Sequence, residues 1–366
     1  MKLKNIPSDR LFKLHACCIP IRGYGRSIIY DLNRKKFWYI PNDLYDVLLA
    51  FDKKTIKQLF QSYNSSSHSV LHSYLAFLVK NEFIFFCDKS HEAKRFPKID
   101  LSFDSPALIT NAIVQIENRI NINIKRLINE LNDLGCRHIQ IALFSESGAS
   151  MINSILEQFD KSAFRSIEIL LKYSSSLSEE ELKHLIKRHP RISQLIVFES
   201  PREWKLKSPY YGMHSITFSG KSITPLMNNP ISNISSFRVN IDLFCETQIF
   251  NPYFNRKMVI DSKGNIKNAP NSYETFGNVN DTSLSKIAKQ KKFQILWKVK
   301  KDDISVCKKC EYRYMCVDNR IPIKLGNKWV HKTQCLYNVY KSQWRNKKVS
   351  ETALNRKQLV SAKISM

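Results

Sequence analysis

A chain of 366 residues that is 43% hydrophobic and 25% charged has the composition of a globular protein with room for two or three domains. Its 58 Lys and Arg against 32 Asp and Glu leave a formal charge of +26, a field that attracts acidic peptides, acidic proteins or nucleic acid. The lysines are spread along the whole chain rather than gathered into one stripe, which argues against a dedicated nucleic-acid binder. No apolar run approaches the roughly 18 residues of a membrane span, which excludes a membrane partner.

The N-terminus, MKLKNIPSDRLFKLHACCIPIRGYGRS, lacks the apolar core and small-residue site of a secretory signal, so the expectation is a cytoplasmic chain with reduced cysteines. Residues 26–41, RSIIYDLNRKKFWYIP, read as a β-hairpin turning at Asn33, Arg34 and Lys35. Pro41 ends its second strand and Asn42 stands where a helix N-cap belongs. Leu44, Val47, Leu48 and Phe51 then form one apolar helical face, Ile56, Leu59 and Phe60 mark a second short helix, and Val70, Leu71, Tyr74, Leu75 and Leu78 a third, which leads into the strand FIFF.

This order of hairpin, three helices and closing strand, over roughly residues 10–88, resembles the winged-helix-like PqqD-like module that recognises leader peptides in ribosomal peptide maturation. The resemblance implies capture of an extended peptide as an added strand at a sheet edge. A DNA-binding winged helix would carry a basic recognition helix, yet SHSVLHSYLAFLVKNE has a single Lys. We assign 1–90 to this module and the polar stretch 91–106 to a linker.

From 107 to 244, short Ile- and Val-rich runs alternate with helical segments at 122–134, 149–159 and 178–189. The strand candidates are ALITNAIVQI, HIQIALF, SIEILLKY, ISQLIVF, HSITF and SFRVNIDLF. The pattern predicts an α/β unit with a parallel sheet buried on both faces, open or curved into a partial barrel. Further on, MVID and NIKNA flank Ser262-Lys263-Gly264 as a second hairpin. The run CKKCEYRYMC then sets Cys307, Cys310 and Cys316 at C-x2-C-x5-C spacing, and Cys335 follows after 18 residues. Four clustered thiols in a reducing compartment point to a metal. A 4Fe-4S cluster and a structural zinc both take four thiolates, and His331 is a possible alternative zinc ligand.

The hairpin, the C-x2-C-x5-C run and the later cysteine resemble the SPASM domain of radical SAM peptide maturases. The segments NPYFNRK…ID…GNIKNAP, RYMCVDNRIP and IYDL…FWYIPNDLY resemble the SPASM-domain protein of the grasp-with-spasm systems. That resemblance implies a degenerate partial (β/α) barrel at 107–244, a SPASM-type domain at 245–345 and a basic tail at 346–366. It also implies one complete 4Fe-4S cluster on Cys307, Cys310, Cys316 and Cys335, a precursor peptide as ligand, and an ATP-grasp peptide ligase as partner. The second cluster of a full SPASM domain is lost, because Ala269 and Arg320 stand at two of its cysteine positions and Cys245 lies 19 residues before Gly264.

No C-x3-C-x2-C loop exists anywhere in the chain. After ALITNAIVQI the sequence reads ENRINI; Cys17 and Cys18 are a vicinal pair in a predicted strand, Cys87 closes the first module, and Cys136 stands alone. The expectation is therefore no use of S-adenosylmethionine, although Gly148 follows the second strand where radical SAM enzymes often bind that cofactor. A P-loop, G-x-G-x-x-G, G-x-S-x-G and H-E-x-x-H are all missing, and His68 and His72 lack the Glu of a zinc helix. Catalytic residues are not assignable, and Asp318 and Arg320 read either as neighbours supporting the metal ligands or as a surface ion pair. The alternatives are a non-catalytic zinc-bearing scaffold or escort and, more remotely, a basic zinc-containing nucleic-acid binder.

Overall fold

The structure, a computed structural model, describes residues 8–52, 54–88, 90–117, 122–207, 215–223 and 231–345. The tail at 346–366 lies outside them.

The N-terminal part contains β1 (Leu11–Leu14), β2 (Cys18–Ile21), β3 (Ser27–Asp31), β4 (Lys36–Ile40), α1 (Asn42–Ala50), α2 (Ile56–Gln61), α3 (His68–Lys80) and β5 (Ile84–Cys87). The expected hairpin is β3–β4, in register from Ser27 with Ile40 to Asp31 with Lys36, and Lys35 takes the left-handed conformation in its turn. β1 escaped the sequence reading, and the strand expected at Cys17 and Cys18 is β2, which begins at Cys18. β2 pairs with β3 to make a three-stranded antiparallel sheet, and Pro20, which has no N–H to donate, is placed on its edge. β5 does not close onto this sheet but pairs with β1. Asn42 is not a cap: Pro41 occupies that position, while the Asn42 side chain accepts from Ser27 Oγ at 2.6 Å and donates to Tyr24 O at 3.1 Å.

The three-stranded sheet is covered on both faces. Ile29 and Ile40 join Leu44, Leu59, Leu71 and Leu78 in the helical core. Ile28, Tyr30 and Tyr39 pack on the other side against Phe237, Phe244, Tyr312, Met315 and Tyr337. Strand neighbours point to opposite faces, so Tyr30 and Asp31 serve different cores.

The segment expected as a linker opens with a short helix, α4 (Ser90–Lys94), and its Ile99 and Leu101 pack against the second of those cores. A mixed α/β region follows: β6 (Asn111–Ile116), α5 (Ile124–Asp133), β7 (His138–Leu143), α6 (Ala149–Glu157), β8 (Ser166–Lys172), α7 (Glu179–Arg188), β9 (Ile192–Phe198), β10 (Trp204–Lys207), β11 (Ser215–Phe218), α8 (Ile241–Ile249), β12 (Lys257–Ile260) and β13 (Ile266–Lys267). The sheet is 8-stranded in the order β10-β11-β9-β8-β7-β6-β12-β13, parallel from β11 to β12 and antiparallel at both edges. Its hairpin β12–β13 turns at Gly264, whose φ of 81° suits glycine, and the Asp261 carboxylate accepts the N–H groups of Lys263 and Asn265.

One face of this sheet is buried by α5, α6 and α7 through residues such as Val114, Ile141 and Ile169. The other face departs from the expected apolar burial. It is apolar around Ala142, Leu170 and Phe198, but at the strand starts Asn111, Gln140, Glu168 and Lys257 surround a cavity of ≈ 290 Å³. Burial there outweighs the nearby carboxylates and lowers the Lys257 ammonium to about 8.

SFRVNIDLF, read as a strand, forms none, and its last four residues open α8. The Asn240 side chain accepts the N–H groups of Asp242 and Leu243, and this cap overrides the β-like composition. Beyond β13 come α9 (Leu284–Ala288), α10 (Ile295–Lys298) and the hairpin β14 (Pro322–Leu325) with β15 (Lys328–His331). Among the described residues no helix is long and apolar enough to cross a membrane.

Candidate metal centre

The cysteine run folds as two 3-10 turns, Cys307–Lys309 and Arg313–Met315, each followed by an extended cysteine. Cys310 N–H donates to Cys307 O at 2.9 Å and Arg313 N–H to Cys310 O at 3.3 Å, so the short spacing is closed by local hydrogen bonds. Cys335 reaches the same place from beyond β15. All four cysteines line one cavity of ≈ 240 Å³, together with Lys301, Arg313, Arg320 and His331. None is disulfide-bonded, and no three of the four sulfurs lie within 4.8 Å of one another. The backbone N–H of Tyr337 donates to Cys335 Sγ at 3.4 Å.

Burial disfavours free thiolates here, and a neighbouring cation offsets only part of that. Burial pushes the Cys307, Cys310 and Cys316 thiols up, while Lys301 pulls Cys307 and Cys316 in the opposite direction. Lys301 is 1% exposed and its Nζ makes no hydrogen bond, although Asp318 Oδ2 lies 3.6 Å away. A buried ammonium with unused donors beside four thiols is a ready partner for anionic sulfur.

Asp318 and Arg320 are not a surface pair. Asp318 is 2% exposed and takes a forked contact from Arg320, with Nε 3.0 Å from both carboxylate oxygens and Nη2 2.7 Å from Oδ2. Burial alone would raise its pKa; Lys301 and Arg320 outweigh burial and hold the carboxyl well below the usual carboxylate range. His331 Nε2 is 3.5 Å from the same oxygen, and burial lowers its imidazole to about 4.

The N-terminal sheet packs against the segment that carries the cysteine run. Tyr30 Oη donates to Glu311 O at 3.3 Å, Tyr39 and Tyr312 share a hydroxyl contact at 2.5 Å, and Arg26 Nε binds the buried Glu311 at 2.9 Å. A Cβ on Gly23 would stand 2.9 Å from Glu311 Cβ, which shows how closely the two segments approach. Arg26, Glu311, Lys301 and the Tyr337 amide carry no motif, and sequence reasoning missed them.

Of the positions that the resemblance gives to a second cluster, Arg320 lines the cavity but Ala269 and Cys245 do not. Ala269 is packed in the core of the large sheet, and Cys245 lies in α8 with its sulfur 4.0 Å from Asp100 O. Gly148 caps α6 at φ −76°, with open space where a Cβ would be, so an ordinary strand-to-helix turn explains it.

No family model matches the chain, and no curated protein matches it. Three crystal structures of Streptococcus suis SuiB align with it. The S-adenosylmethionine-bound form has TM-score 0.28 and 10% identity, covering 85% of this chain and 94% of that one. A second SuiB structure gives 0.25 and 12% over the same shares. The form bound to precursor peptide SuiA gives 0.24 and 10%, covering 84% and 94%. At these TM-scores the alignments carry no argument for fold or function.

Proposed function

We propose that the chain is a component of ribosomal peptide maturation that binds a precursor peptide and holds one 4Fe-4S cluster on Cys307, Cys310, Cys316 and Cys335. The observation that carries the proposal is the width of the thiol set. A tetrahedral zinc with bonds of about 2.3 Å needs sulfurs roughly 3.8 Å apart, and around this shared cavity no three of the four lie within even 4.8 Å of one another. A cluster spreads its ligands because each cysteine binds a different iron. Lys301, Arg320 and the Tyr337 amide would offset the negative charge and hydrogen-bond to sulfur, which are the means by which a protein tunes such a centre.

When bound, the cluster would supply electron storage; with four protein ligands it leaves no open coordination position. Peptide binding is assigned to the outer edge of β4, which has no strand partner among the described residues and offers its backbone groups to an extended chain. The resemblance to the grasp-with-spasm protein supports the further reading of a three-part cytoplasmic chain working beside an ATP-grasp ligase, with 107–244 as a degenerate barrel. The thiol-free stretch after β6 favours a scaffold or escort role over radical chemistry.

The test is anaerobic purification with iron, sulfide and zinc analysis on wild type and Cys310→Ala, with S-adenosylmethionine cleavage assayed in parallel. About four irons and four sulfides, abolished by the substitution, support the cluster. A colourless protein with one zinc lost in Cys310→Ala overturns it in favour of a zinc-bearing scaffold.

A further inference from the structure

The vicinal thiols Cys17 and Cys18 belong to no motif, yet the fold gives them a third partner. In the β2–β3 ladder Cys18 pairs with Asp31, and Leu32 N–H donates to Cys17 O at 3.0 Å, so both thiols are held beside the Asp31 carboxylate. The two sulfurs are 4.0 Å apart, and both lie with an Asp31 oxygen inside a 4.8 Å group. Among the described residues no other set of three His, Cys, Asp or Glu side chains is as tight.

The spacing suits a single ion. Two thiolates on one tetrahedral zinc stand about 3.8 Å apart, close to the separation already present. Asp31 is oriented as a ligating carboxylate usually is, by hydrogen bonds from outside: Arg34 N–H donates to Oδ1 at 2.9 Å, and the Arg34 guanidinium lies 3.3 Å from Oδ2. A divalent cation would offset two of the three negative charges of two thiolates and a carboxylate, and Arg34, which also pairs with Glu82, lies beside the third. Cys18 and Asp31 are buried while Cys17 is partly exposed, which leaves an entry path. The triad lines a cavity of ≈ 440 Å³ that also borders His15 and Glu82. Three protein ligands facing open space is the arrangement of zinc sites that keep a position for water or a small ligand.

We propose that Cys17, Cys18 and Asp31 bind one thiophilic divalent cation, of the zinc class, with its fourth position directed into this cavity. The site is independent of the four-cysteine centre and of what that centre holds.

The test is zinc content of the full chain after incubation with excess zinc and gel filtration, read on wild type, Cys17→Ser and Asp31→Asn, each with and without Cys310→Ala. Wild type should retain one zinc more than Cys17→Ser. Asp31→Asn should weaken that zinc at least ~10-fold, and both differences should persist with Cys310→Ala. Replacing zinc by cobalt should give thiolate-to-cobalt absorption that disappears with Cys17→Ser. Equal zinc in wild type and in Cys17→Ser that keeps its far-ultraviolet circular dichroism overturns the assignment, and so does a zinc that is lost with Cys310→Ala alone. Should Cys17→Ser not fold, unchanged zinc affinity in folded Asp31→Asn overturns it on the same terms.

Discussion

The two thiol sites lie on opposite sides of one strand and differ in what decides the ligand. On one face of β3, Tyr30 bonds to Glu311, within the run that brings three cysteines to a cavity; no three of the cavity's four sulfurs lie within 4.8 Å of one another, and a cation that lines it, Lys301, is fully buried. On the other, Asp31 meets two sulfurs 4.0 Å apart, with a cation, Arg34, whose side chain is 40% exposed. Spacing separates a cluster from a single ion, and burial separates a cation that is part of the core from one that solvent screens. Thiol number alone would not have distinguished them.

The largest expected effect is on occupancy. Cys316→Ala should take the iron of anaerobically purified protein from about four atoms per chain to near none, and leave the zinc of the Cys17 site unchanged. Loss of both metals together would break the separation between the sites.

The next contrast is between the two cations. Lys301→Met removes a partner from buried Asp318 and should cost about 3 kcal/mol in urea unfolding of the metal-free protein. Arg34→Met removes a guanidinium that is 40% exposed and that water can partly replace beside buried Asp31, so it should cost less, about 1 kcal/mol. Equal costs would show that burial is not what distinguishes the sites.

A smaller effect is expected with pH. His331 titrates near 4 in the folded metal-free chain, against 6.5 in its ordinary state. Between those values the unfolded chain binds a proton that the folded chain does not, so stability falls as pH drops through that window, by on the order of 2 kcal/mol. His331→Phe should flatten the profile, as measured by urea midpoints from pH 7 to pH 4. The smallest effect is Tyr30→Phe, which leaves the ring packed and removes one hydroxyl bond at 3.3 Å, for about 1 kcal/mol in thermal unfolding.

Legibility followed sequence distance. Cys307, Cys310 and Cys316 could be read because a single pair of turns brings them together, and the helices of the N-terminal part because their apolar residues repeat at helical spacing. The strands of the central sheet were visible as Ile and Val runs, though their polar second face was not, since Gln140 and Glu168 reveal their shared side only through strand register. β1 was missed because four residues carry too little pattern, and β2, though expected as a strand, could not be given a partner from four residues that include Pro20. The Cys17 site was illegible for the same reason as Lys301: Asp31 and Asp318 become partners only through the fold.

The joint between Tyr30 and Glu311 also constrains the order of assembly. It spans 281 residues, and the Arg26 contact with Glu311 spans 285. Contacts so remote in the chain form late, after most loop-closure entropy has been spent. During synthesis the hairpin that carries Tyr30 must wait for a segment 281 residues further along before this joint can close. Cys17, Cys18 and Asp31, by contrast, lie within 15 positions of one another in the chain and can come together locally.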